Sequence, residues 1–74
     1  MPGLVKRSLL LTGHATSLAL EPPFWAALEA MAQARGLSLP ALLVAIDAER
    51  GASSLASACR VAALQGAGGF KPGV

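Results

Sequence analysis

The chain has 74 residues, of which 54% are apolar and 14% charged, and a net charge of +2, so it carries one small domain with more apolar surface than such a domain hides alone. One Cys and one His cannot build a zinc site of three or four protein ligands or a disulfide framework. The mean hydropathy of +0.58 argues against a disordered chain, and no apolar run is long enough for a transmembrane helix. The apolar surplus predicts an oligomer: a homodimer sharing one core, with a tetramer as a further option. No membrane partner is expected.

Residues 1–7 are expected to form an N-terminal arm. Lys6 and Arg7 precede Leu9, Leu10 and Leu11 like the start of a signal peptide. The run then breaks at Thr12-Gly13-His14 with no small-residue cleavage site after it, so a cytoplasmic chain is the expectation. Ser8 to Leu20 reads as extended. At its end Thr16, Leu18 and Leu20 point one way, and Ser17 and Ala19 the other. Gly13-His14 suggests a bulge or turn. A lone strand cannot satisfy its own backbone groups. No second convincing strand is legible, so the simplest partner is the same strand of another copy.

Glu21-Pro22-Pro23 marks a helix start, since proline suits a first helical turn. Phe24, Leu28, Met31 and the stem of Arg35 follow on one face, flanked by Trp25 and Ala32, and Gly36 stops the helix. Ser38 is the predicted N-cap of a second helix, with Pro40 in its first turn and Leu39, Leu42, Leu43 and Ile46 as its apolar stripe. Gly51 closes it. Ser53 or Ser54 caps a third helix carrying Leu55, Cys59 and Ala62, with Ala58, Val61 and Leu64 on an overlapping flank. The predicted domain covers residues 8–65, and residues 66–74 read as a flexible Gly/Pro-rich tail.

One strand leading into two amphipathic helices, with Leu20-Glu21-Pro22 at the junction and Gly36-Leu37-Ser38 between the helices, resembles the ribbon-helix-helix family. More narrowly, Lys6-Arg7-Ser8, Gly13-His14, Thr16-Ser17, Phe24-Trp25, Gly36-Leu37-Ser38-Leu39, Ile46-Asp47-Ala48 and Ser57-Ala58-x-Arg60-Val61 are similar to a group of short bacterial members. The resemblance implies a mainly α fold with one N-terminal strand. Two chains intertwine, their strands pair antiparallel into a ribbon, and an extra C-terminal helix is added here. The shared dimer core is then Leu18, Leu20, Phe24, Trp25, Leu28, Leu42, Leu43 and Ile46. The resemblance also implies that the ribbon enters the DNA major groove and that amides at the start of the second helix, here around Ser38 and Leu39, hold a phosphate.

The candidate DNA-binding residues are therefore Lys6, Arg7, His14, Ser17, Ala19, Ser38 and Leu39. With Leu18 and Leu20 turned to the core, the strand presents Ser17, Ala19 and Ala15, whose short side chains offer one hydroxyl and methyl groups for base edges. Lys6 and Arg7 read either as a phosphate-binding arm or as ordinary solvated charge. His14 reads as a turn or interface residue or as a nucleic-acid contact. Trp25 reads as core and Cys59 as a small buried apolar residue. Arg60 is expected to pair with Asp47 or Glu49 across helices two and three. Those two carboxylates are two positions apart on a helix and do not form an acid/base pair. No nucleophile–base constellation and no phosphate-cradling loop is present, so no enzyme activity, metal or cofactor is expected. Two functions follow: a DNA-binding regulator or antitoxin-like repressor, and an assembly module that docks a protein partner through the third helix.

Overall fold

The computed structural model describes residues 3–66. It begins with two strands, β1 (Val5–Leu11) and β2 (His14–Leu20), paired antiparallel. This corrects the reading of a single strand: β1 of the same chain pairs with one edge of β2. It also shortens the expected arm, since Val5, Lys6 and Arg7 belong to the sheet. The interruption at Gly13-His14 is the hairpin turn. Thr12 and Gly13 both have positive φ, 51° and 84°, which is the pattern of a two-residue turn whose twist matches the flanking strands. Leu11 then faces His14, Leu9 faces Thr16, Arg7 faces Leu18 and Val5 faces Leu20.

Three helices follow: α1 (Pro22–Ala34), α2 (Leu39–Glu49) and α3 (Leu55–Gly66). Pro22 and Pro23 open α1, where missing N–H groups cost no helical bond. Gly36 ends it at φ 70°, and its N–H bonds the Gln33 carbonyl at 3.1 Å while the Leu37 N–H reaches back to Ala32 at 2.8 Å. Those two bonds satisfy carbonyls that the helix end would otherwise leave open. Ser38 caps α2 as expected, its Oγ accepting the Ala41 N–H at 3.2 Å. Ser54 is the cap of α3, accepting the Ser57 N–H at 3.1 Å.

The inward face of the hairpin lies over α2 and α3, and α1 packs against both of those helices. The core contains Leu11, Leu18, Leu20, Trp25, Leu28, Met31, Ala32, Leu42, Leu43, Cys59 and Ala63. Trp25 is thus more central to α1 than Phe24, which is half-buried, and the Arg35 stem is exposed. Of the residues assigned to a shared dimer core, Leu18, Leu20, Trp25, Leu28, Leu42 and Leu43 are already buried within one chain, while Phe24 and Ile46 remain half-buried. The hairpin and α3 supply the cover. Leu4, Val5, Leu10, Leu37, Val61 and Leu64 stay exposed. Of the expected tail, only Gly66 lies within the described residues, as the last residue of α3.

Thr12 is a β-branched residue in the left-handed region, a conformation that costs an L-residue about 1–2 kcal/mol and that Asn tolerates better. Thr12→Asn is expected to stabilise the domain by about 1 kcal/mol, raising its melting temperature by roughly 4–8 °C in a thermal unfolding experiment. An unchanged or lower melting temperature contradicts the turn.

Candidate nucleic-acid interface

Alternation along the hairpin sorts the charged and polar side chains of both strands. On the inward side lie Val5, Arg7, Leu9 and Leu11 with their partners Leu20, Leu18, Thr16 and His14. On the outward side lie Lys6 opposite Ala19, Ser8 opposite Ser17, and Leu10 opposite Ala15. All of the outward residues except the half-buried Ala19 are exposed, Leu10 to 68%.

Lys6 and Arg7, neighbours in sequence, have opposite fates. The Arg7 guanidinium donates to Glu29 Oε2 at 2.9 Å and stands 4.5 Å from the Trp25 ring centroid. Trp25 in turn donates its indole N–H to the Val5 carbonyl at 2.8 Å. Arg7, Trp25, Val5 and Glu29 therefore tie β1 to α1, and Arg7 is occupied there. Among the described residues, no carboxylate lies within ion-pair distance of Lys6. Ser17 and Ala19 are on the same outward face as Lys6. His14 is exposed beside the turn but has the inward parity of Leu11, so it is not part of that face.

The start of α2 offers little to an anion. Pro40 has no N–H, the Ala41 N–H is held by Ser38 Oγ, and the Leu42 N–H bonds the Ser38 carbonyl at 3.0 Å. In this first turn the Leu39 amide is the donor left over. Ser38 is exposed and Leu39 half-buried. Ser8 and Leu10 join the outward face although sequence reading passed them over. The signal was available in Thr12-Gly13, because a two-residue turn there fixes which residues of the two strands lie opposite each other.

Three of the four carboxylates are spoken for. Glu29 takes Arg7, Asp47 takes Arg50 at the C-terminal cap of its helix, and Glu21 takes Arg60. The last pair corrects the expected link between Arg60 and Asp47 or Glu49. Arg60 Nε donates instead to Glu21 Oε1 at 3.0 Å, with its guanidinium 5.8 Å from the Phe24 ring centroid. It bolts α3 to the junction of β2 and α1. A backbone N–H bond at Glu21 and the Arg60 side chain hold the Glu21 carboxyl below its ordinary range. Cys59 is fully buried, and desolvation pushes its thiol up to about 11 despite the opposing charge of Arg60.

Two predictions follow from these contacts. Arg7→Gln is expected to destabilise the fold by up to about 1 kcal/mol and to shift Trp25 emission, whereas Lys6→Gln leaves both unchanged. Denaturation followed by tryptophan fluorescence checks this, and equal effects of the two substitutions contradict the assigned faces. Because the Glu21 carboxyl is depressed in the fold, its contribution is complete above the ordinary glutamate value of about 4.3. It is lost as pH falls through the lower folded value. Arg60→Ala is therefore less stable than the wild type at neutral pH, with the gap narrowing in acid. A constant gap across an acid titration contradicts the pair.

No described helix is long and apolar enough to cross a membrane, and no group of three or more His, Cys, Asp or Glu among the described residues could hold a metal ion. No curated protein and no solved structure matches the chain. A family model described as a ribbon-helix-helix domain matches residues 4–67, which span the hairpin and all three helices. The chain belongs to the ribbon-helix-helix family.

Proposed function

We propose that this chain is a DNA-binding homodimer, a small cytoplasmic transcriptional regulator or antitoxin-like repressor that sets a β-ribbon into the major groove. Ribbon-helix-helix domains generally bind DNA as regulators, typically as dimers, and are typically non-enzymatic. The observation that carries the reading in this chain is the outward face of the hairpin. It is a two-stranded ribbon of the width the major groove admits, and it carries a lysine, unpaired among the described residues, beside small and hydroxyl side chains. The net charge of +2 per chain favours an anionic partner, and doubling it in a dimer strengthens that preference. Ser38 and the Leu39 amide add a modest phosphate contact, while Arg7 acts by fixing β1 rather than by touching DNA.

Fluorescence anisotropy tests this with a labelled duplex from upstream of the protein's own gene and a random duplex of equal length, at about 50 and 200 mM salt. The expected result is tighter binding to the upstream duplex, weakening as salt rises. No binding to either duplex at the lower salt contradicts the reading.

A second reading, assembly through α3, is favoured by Val61 and Leu64, which are 49% and 54% exposed on one flank of that helix. It predicts that Leu64→Glu lowers the association state in sedimentation equilibrium without unfolding the chain. An unchanged association state contradicts it.

A further inference from the structure

We infer that the chain's own continuation beyond Gly66 folds back over the open side of α1. The Phe70 ring sits in the hollow formed by Ala27, Ala30, Met31 and Ala34, and Lys71 lies beside Glu49. Residues 67–74 are outside the described residues. The hollow, the exit of α3 and the sequence after it each point to this occupant, and none of them depends on DNA binding.

Small side chains make the hollow. Ala27, Ala30 and Ala34 follow at spacings of three and four, so they share one face of α1, and Met31 adds a thioether beside them. The space holds about 420 Å³, enough for one aromatic ring, and Arg35 and Gly66 complete its lining. Ala30 and Ala34 are exposed there, and Ala27 is half-buried. A methionine sulfur makes favourable contacts with an aromatic ring, so Met31 gives the ring a specific neighbour.

The end of α3 delivers the chain to the rim of this hollow. Arg60, midway along α3, reaches Glu21 and Phe24 at the start of α1, while Gly66 reaches Met31 further along it. The two helices therefore run side by side in the same direction. At Gly66 the approach is so close that an added Cβ would stand 2.7 Å from Met31 Cγ. A segment leaving this point has to turn back to cover α1. The sequence supplies the turn, since Ala67-Gly68-Gly69-Phe70 has glycine at both central positions, where every turn type is accessible. Such a turn returns Phe70 to within about 7 Å of Ala67, at the edge of the hollow.

Charge agrees with this path. Of the four carboxylates, Glu49 has no cation partner among the described residues. With Ile46 and Ala62 it lines a second hollow, which shares Met31, Arg35 and Gly66 with the first. Pro72 holds Lys71 in an extended conformation, and successive side chains of an extended segment point to opposite sides. Phe70 turned onto α1 thus sends Lys71 towards Glu49. Arg35 at the shared rim weakens that pair, which leaves the ring as the main anchor.

The test uses the whole chain, with the Met31 methyl followed by NMR and unfolding by circular dichroism. Proton contacts from the Phe70 ring to the Met31 and Ala30 methyl groups are expected, arising within single chains in a mixture of labelled and unlabelled protein. Phe70→Ala is expected to move the Met31 methyl signal and to lower the melting temperature by roughly 4 °C or more. Ala30→Glu, at an exposed helix position, is expected to abolish the ring contacts. Combined with Phe70→Ala it is expected to cost less than the sum of the two single changes. If Phe70→Ala changes neither the Met31 signal nor the melting temperature, the inference fails, and a lower association state of Ala30→Glu would then assign the hollow to a second copy. Ring contacts seen only across the labelled–unlabelled pair put Phe70 in another copy's hollow and overturn the inference as well.

Discussion

The register of the β1–β2 hairpin is the constraint on which the rest depends. Side chains alternate across a strand, so moving the pairing by one residue exchanges the two faces of the ribbon. Thr12 and Gly13, both at positive φ, place Leu11 opposite His14, and every later pair follows from that. The consequence is clearest at Lys6 and Arg7. One cation faces outward with no carboxylate partner among the described residues, and its neighbour turns inward onto Trp25 and Glu29. A one-residue slip would bring Arg7 out, turn Lys6 in, and put Ser17 where Leu18 now closes the core.

The same hairpin explains how so short a chain closes a core. A strand and two helices alone leave one face of the helix pair uncovered, which is why the apolar surplus predicts a partner. Here the inward hairpin residues cover α2 and α3, and Cys59 and Ala63 of α3 fill the space beside α1. Ion pairs then fasten elements at their edges. Arg7–Glu29 joins β1 to α1, and Arg60–Glu21 joins α3 to the start of α1. Exposed pairs of this kind contribute little energy each, so burial of Leu20, Leu28, Leu42 and Leu43 holds the fold.

Much of this was legible in the residues themselves. β2 showed in the alternation from Thr16 to Leu20, and the helices in their apolar spacing and in local stops and caps such as Gly36 and Ser38, which depend on near neighbours only. β1 was hidden because Leu9, Leu10 and Leu11 are contiguous and Lys6-Arg7 is a charged pair, so no alternation is visible. Its two faces emerge only when the turn assigns partners. Arg60 shows the other kind of difficulty. Its partner Glu21 is 39 positions away, and the angle at which α3 crosses the β2–α1 junction decides the pairing. The outward face was half legible: Ser17 and Ala19 followed from β2, whereas Ser8 and Leu10 required β1.

The central claim, that β1 and β2 pair as a hairpin within one chain, is tested most directly by isotope-filtered NMR on an equimolar mixture of labelled and unlabelled protein. The account predicts that proton contacts between β1 and β2, such as those linking Ser8 with Ser17 and Leu10 with Ala15, arise within single chains. Contacts between these residues seen only across the labelled–unlabelled pair would mean that β1 pairs with another copy, and would contradict it.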